Sequence, residues 1–268
     1  MAEARRFSVS AMPGFRAITL AAFAMLYAPI VIIVVYSFNA AESISVWGGL
    51  SLEWYGRAWE NEQVQEATVR SLLVASLAAA ISTVVATAAA LGTTHGAPFP
   101  GRTFIYAAIN QPLMAPEIVT AVALLIVFAS VKVATGYTGL GYLILAHSAF
   151  CVPFAYLPIR ARLEGMDLSL ETAAADLYAT RWRTFRRVTL PLMAPGVAAG
   201  AMLAFVVSLD DVIITEFVKS AGQDTLPTYM LGQLRRAVTP EVNAISTALL
   251  GLTVILLTAF FLLSRKRD

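Results

Sequence analysis

The sequence predicts an all-α fold: a polytopic integral membrane protein with six transmembrane helices. Of its 268 residues, 58% are hydrophobic and only 13% charged, whereas a soluble domain needs roughly 25% charged residues to cover its surface. Mean hydropathy is +0.72, and the apolar residues come in blocks of about 20, the length that crosses a hydrocarbon core of about 30 Å. The alternating pattern of an outer-membrane barrel is absent. Helices, which satisfy their own backbone groups in lipid, are therefore required.

The first span covers about residues 17–38. Arg5, Arg6 and Arg16 precede it, as in a signal peptide, but its apolar run of 22 residues exceeds the roughly 7–15 residues of a signal core. It reads as a retained anchor. The second span, about 71–91, repeats Ala78, Ser82, Ala86 and Ala90 at every fourth position, a face that lets helices approach closely. The third, about 104–131, is expected to be interrupted by Pro112 and Pro116. Pro116 removes a backbone donor and Glu117 follows it, so a helix break carrying an ionisable group is expected, a frequent mark of a solute route. A polar tie from Glu117 to Asn110 or Gln111 is the structural alternative.

The fourth span, about 139–158, holds His147 and Cys151, both read as structural. Two histidines far apart and a lone cysteine exclude an internal disulfide and a thiol-based metal site. The fifth, about 192–215, carries Gly196 and Gly200 at G-x-x-x-G spacing and, late in its length towards the outside, Asp210 and Asp211. Each carboxylate would cost roughly 2.5–3.5 kcal/mol at the bilayer centre. Neighbours on a helix lie about 100° apart, so the two acids cannot share a face. One is expected to face a solute pathway, against the alternative that both merely end the span at headgroup level. The sixth span covers about 244–263. Trp47, Trp54, Tyr55 and Trp59 gather before the second span, as an interfacial aromatic belt or as a surface that stacks on a cation.

Basic residues set the expected orientation. With the N-terminus inside, the inner segments carry Arg5, Arg6, Arg16, Arg102, Arg160, Arg162, Arg181, Arg183, Arg186, Arg187, Arg265, Lys266 and Arg267. The outer side keeps Arg57, Arg70, Lys132, Lys219, Arg235 and Arg236. The positive-inside rule then places both termini in the cytoplasm and leaves an acidic first outer loop with Glu42, Glu53, Glu60, Glu62 and Glu66. Scattered over short loops, these arginines give no support to nucleic-acid binding. Two connections, 159–189 inside and 216–243 outside, exceed the roughly 12–15 residues beyond which a loop carries structure or a task.

The inner segment "ETAAADLYATRWRTFRRVTLP", Glu171 to Pro191, places Leu170, Ala174 and Leu177 on one helical face and then adds Arg181, Arg183, Arg186 and Arg187. A short surface helix followed by a basic stretch is expected, either anchored to anionic headgroups or docked on a soluble partner. The stretch resembles the coupling motif of ATP-binding-cassette (ABC) importer permeases, E-A-A, then G, then I-x-L-P. In that register stand Thr172, Ala173 and Ala174, then Tyr178, then Val188, Leu190 and Pro191. Thr172 replaces the usual glutamate, with Glu171 one position earlier available to substitute, and Tyr178 replaces the glycine that lets the chain turn between two helices. "SFNAAESISVWGGLSLEWYGRAWEN" resembles the first outer loop of the same permeases. "SLDDVIITEFV" with "TLPTYMLGQLRRAVTPEVNAIST" resembles the second permease subunit of spermidine/putrescine importers.

The resemblance implies one permease domain over residues 1–268, in a bacterial inner membrane. It would form, with a second permease subunit, the path of a small cation, expected to be a polyamine. It further implies two copies of a separate ATPase clasping the helix around Glu171 to Tyr178, and a periplasmic solute-binding protein. No phosphate-cradling G-x-x-x-x-G-K-[ST] loop is possible, since Lys132, Lys219 and Lys266 follow no glycine. The chain is therefore expected to be no enzyme and to hold no cofactor, with ATP and magnesium bound by the ATPase. Glu117, Asp210 and Asp211 are the acids expected along the pathway. Since six helices cannot enclose a pathway alone, the small-residue faces of the second and fifth spans are candidate subunit contacts. The alternatives are a similar permease for another small solute, or a proton-coupled carrier using Glu117 or Asp210. The carrier reading has neither an evident inverted repeat nor a need for the inner helix.

Overall fold

The computed structural model describes residues 14–43, 46–95, 99–236 and 239–265, the side chains of 236 and 263–265 excepted. Arg5, Arg6, Lys266 and Arg267 lie outside the described residues. Among the described residues, six helices are long and apolar enough to cross a membrane: Phe15–Tyr36, Glu62–His95, Glu117–Thr135, Gly141–Glu164, Arg181–Asp210 and Pro240–Leu262. The helices in chain order are α1 (Phe15–Tyr36), α2 (Glu53–Glu60), α3 (Glu62–Ala90), α4 (Arg102–Met114), α5 (Glu117–Thr135), α6 (Gly141–Glu164), α7 (Ser169–Asp176), α8 (Arg181–Thr184), α9 (Leu190–Asp210), α10 (Ile213–Val218), α11 (Leu226–Arg236) and α12 (Pro240–Arg265). Two π turns, Leu91–His95 and Phe185–Thr189, continue α3 and precede α9.

Several boundaries differ from those expected. The second span begins at Glu62, so Glu62 and Glu66 lie on α3 rather than in a loop. The fourth continues to Glu164 and carries Arg160 and Arg162 on its last turns. The third is two helices. Ala115 precedes a proline, which disfavours helical backbone there, and both Ala115 (ψ 147°) and Pro116 (ψ 132°) are extended. Pro112, expected to interrupt the span, instead stays inside α4, and the break falls at Pro116 alone. The fifth ends at Asp210, after which Asp211 is extended (ψ 132°) and α10 starts afresh.

The described residues fall into two compact units, those within 1–61 and 233–252 and those within 62–232 and 253–268. In the first, Asn39 organises the loop after α1. Its amide donates to the Val46 carbonyl at 2.6 Å and accepts from Gly48 N at 2.7 Å, while its own carbonyl accepts from Trp54 Nε1 at 2.9 Å. Trp54 is thereby buried, and the Arg57 guanidinium lies 4.6 Å over its ring. The cation over Trp54 is thus the chain's own Arg57.

The second unit is built on α3, α6 and α9, which pack together. Ala78, Ser82, Ala86 and Ala90 are all buried. A Cβ on Gly200 would stand 2.6 Å from the Ala155 carbonyl oxygen, and one on Gly196 would stand 2.6 Å from Arg162 Cβ. The small-residue faces expected to meet another subunit are therefore used within the chain, where they bring α6 and α9 close. α4 packs on α6, and α5 on α10. At one end of this unit Arg70 donates to the Asp224 carbonyl at 2.7 Å, Lys132 to Ser220 Oγ at 3.2 Å, and Gln223 to the Thr138 carbonyl at 2.8 Å. The other end carries the first turn of α4, the last turn of α6, α7 and α8.

Candidate functional site

The coupling segment is assembled from short-range rules. Asp167 Oδ1 accepts from Ser169 N at 2.9 Å, starting α7, and hydrogen bonding from the Ser169 backbone and hydroxyl holds the Asp167 carboxyl below its usual range. The helix closes with two backbone bonds, Tyr178 N to the Ala175 carbonyl (2.9 Å) and Ala179 N to the Ala174 carbonyl (3.0 Å). This is a Schellman closure, whose residue after the cap takes left-handed backbone. Tyr178 takes it, at φ 59°. The turn that glycine normally makes is therefore present with tyrosine in its place. Thr180 then accepts from Arg183 N and opens α8.

Of the predicted coupling residues, Thr172, Ala173, Tyr178, Leu190 and Pro191 are exposed, while Ala174 and Val188 are half-buried. Tyr178 is 95% exposed and Leu177 82%, with Leu168 and Leu170 also open. Glu171 behaves differently. Its two carboxylate oxygens each lie 2.9 Å from His95 Nε2, and Oε1 also accepts from the Thr189 hydroxyl. Burial pushes this carboxyl up, but the hydrogen bonds from Thr189 and His95 outweigh it and hold Glu171 below its ordinary value. The sequence reading missed His95 and Thr189: Thr189 holds the unspecified position of I-x-L-P, and His95 stands outside the motif, 76 positions from its partner.

The acids Glu117, Asp210 and Asp211 come from two helix breaks. Asp210 is exposed at the end of α9, whereas Asp211 is 6% exposed. Asp211 caps α10: its carboxylate accepts from Ile214 N at 3.1 Å, Thr215 N at 2.9 Å and Thr215 Oγ1 at 2.9 Å, satisfying donors that begin a helix. His147 lies 3.4 Å from it and is itself held between Ser208 Oγ (2.7 Å) and Thr215 Oγ1 (2.9 Å). Asp211 is therefore turned into its own chain and not towards an open surface. Glu117 is half-buried at the first turn of α5, the helix that packs on α10. Asn110 donates instead to the Tyr106 carbonyl at 2.8 Å. The structure thus joins Asp211 to His147, sets Glu117 on the helix packed against α10, and leaves Asp210 on the surface. Beside the α4–α5 break lies a cavity of about 290 Å³ lined by Gln111, Thr120, Leu124 and Phe150 among others.

Known proteins resemble this chain in sequence and in fold. A family model described as binding-protein-dependent transport system inner membrane component matches residues 88–267. The chain is 36% identical over 252 residues to the putrescine transport system permease protein PotI of Escherichia coli K12, covering 92% of this chain and 90% of that protein. It is 35% identical over 246 residues to the spermidine/putrescine transport system permease protein PotC of Haemophilus influenzae, covering 92% and 94%. Among solved structures, it resembles a chain of a bacterial ABC transporter that imports the acidic polysaccharide alginate, with TM-score 0.71 and 15% identity over 92% of each chain. It also resembles a chain of the inward-facing MetNI methionine ABC transporter, with TM-score 0.65 and 16% identity over 80% of this chain and 98% of that one. These two likenesses are of fold.

Proposed function

The chain belongs to the family of binding-protein-dependent transport system inner membrane components, and from that premise we propose that it is a permease subunit of an ATP-driven polyamine importer. The relatives covering nine-tenths of the chain carry putrescine or spermidine/putrescine in their names, which supports a cation of that class over another small solute. A second permease subunit completes the pathway, two copies of an ATPase bind ATP and magnesium, and a periplasmic protein delivers the solute. Both termini and α7 face the cytoplasm, where the arginines are concentrated.

The observation that carries the reading is the open apolar row on α7 and its closing turn, Leu168, Leu170, Leu177 and Tyr178. It lies outside every membrane span, in a chain without a phosphate-binding loop. An ATPase covers this row, and closure of the ATPase pair moves α7. Along the pathway Glu117 and Asp210 offer carboxylates to ammonium groups, and Asp211 fixes the break beside Glu117.

Purification in mild detergent tests the function. An ATPase must accompany the chain, and its turnover must rise when polyamine-loaded binding protein is added. Uptake that survives ATP depletion and collapses with a protonophore would establish a proton-coupled carrier instead. A binding protein that retains another solute and ignores putrescine and spermidine would overturn the substrate class alone.

A further inference from the structure

We propose that His95 is a positioning residue of the coupling step: it clasps Glu171, so that α7 moves as one body with the ends of α3 and α9. The inference rests on the reading of α7 as the coupling helix.

α7 is eight residues long and none of them is buried, and so short a helix is marginal by its own propensity. What holds it to the spans is therefore decisive for any force passed through it. Among the described residues, the hydrogen bonds that tie an α7 side chain to a membrane-spanning segment are those of Glu171. His95 Nε2 lies 2.9 Å from both carboxylate oxygens. A carboxylate only accepts, so the ring donates through Nε2. Thr189 donates to Oε1 from the other side. His95 ends the π turn that continues α3, and Thr189 ends the π turn that leads into α9. π turns interrupt the regular helical ladder and recur at functional sites.

One carboxylate thus joins three segments, and the two donors sit at the ends of helices that pack on each other along their length. A displacement of α7 is passed directly to α3 and α9 through charge-assisted hydrogen bonds, the stronger kind. Without the clasp α7 keeps its exposed docking row but is linked to the spans through flexible backbone. Docking and ATP hydrolysis then continue with less solute moved per ATP.

The test uses the assembled transporter in proteoliposomes and reads solute imported per ATP hydrolysed for H95A, H95Q, E171A and H95A/E171A. H95A and E171A should each lower the ratio about tenfold, the scale of one charge-assisted hydrogen bond. The double variant should be no worse than either single one. H95Q should stay within about threefold of the parent, because a glutamine amide can donate from near the Nε2 position. An unchanged ratio in H95A, losses that multiply in the double variant, or an H95Q as poor as H95A would overturn the proposal. Should H95A fail to assemble, T189V decides on the same ratio: a drop supports the clasp and no change overturns it. Failure of the underlying reading has its own signature. L177D must abolish ATPase capture, and capture that persists sinks the coupling role of α7 whatever His95 does.

Discussion

At the scale of single residues, Tyr178 shows a local rule overridden by its surroundings. Left-handed backbone costs a residue with a side chain about 1–2 kcal/mol, yet the closure of α7 holds Tyr178 at φ 59°. Glycine would relieve that cost while adding freedom to the unfolded chain. Tyr178→Gly should therefore stabilise the isolated chain by up to about 1 kcal/mol, read as a higher thermal midpoint in detergent. If it also weakens ATPase capture, the tyrosine is held in its conformation for the partner's sake; a lower midpoint would contradict the strain. Glu171 carries the second residue-scale expectation. Its carboxyl is held below the ordinary value in the folded chain, so its contribution to stability is fully present above the ordinary glutamate pKa of about 4.3. That contribution fades as pH falls through the lower folded value. Thermal midpoints of the parent and Glu171→Gln should accordingly differ at neutral pH and converge on acidification. A gap that widens in acid would reverse the sign and exclude the hydrogen bonds as its source.

At the scale of elements, the contact between α6 and α9 depends on what Gly200 lacks. A Cβ there would meet the Ala155 carbonyl oxygen at 2.6 Å, an atom of the opposing backbone that cannot swing aside. Gly200→Ala should cost about 1–3 kcal/mol, the usual penalty of overpacking. Gly56→Ala on α2, where nothing lies within 4 Å, should gain up to about 1 kcal/mol; denaturation of both variants checks the contrast. Most of this architecture was legible, because length and apolar character mark a span whatever its neighbours are. The break at Pro116 was legible too, since Pro acts on the residue before it. The break at Asp211 was hidden inside a continuous apolar run, "FVVSLDDVIITEFV", where a capping carboxylate and an unpaired one look alike. The small-residue faces were found but given the wrong partner: spacing reports that helices approach closely and does not say which ones. The clasp of Glu171 by His95 joins residues 76 positions apart, and no local pattern encodes it.

At the scale of the whole molecule, the three acids read as one group in the sequence divide into two tasks. Asp211 is surrounded by the donors of Ile214 and Thr215 and by His147, an arrangement that holds a helix break in shape. Glu117 heads α5 at the other break and Asp210 is exposed at the end of α9, and under the proposed function these two are the acids that meet a passing cation. Neutral replacements should separate the tasks. Glu117→Gln and Asp210→Asn should leave assembly and thermal stability near the parent and lower the initial rate of polyamine uptake about tenfold, the loss expected when one charge-assisted contact to an ammonium group disappears. Asp211→Asn keeps an acceptor but loses charge among backbone donors, so it should destabilise the chain by about 1–3 kcal/mol and reduce uptake in proportion to the amount assembled. Uptake is measured against the quantity of complex in the membrane, which separates a slower pathway from a scarcer protein. Uptake per complex that is normal in Glu117→Gln and Asp210→Asn but depressed in Asp211→Asn would invert the assignment. The buried acid would then be the one that meets the cation, exposed by a movement of α10 away from α5.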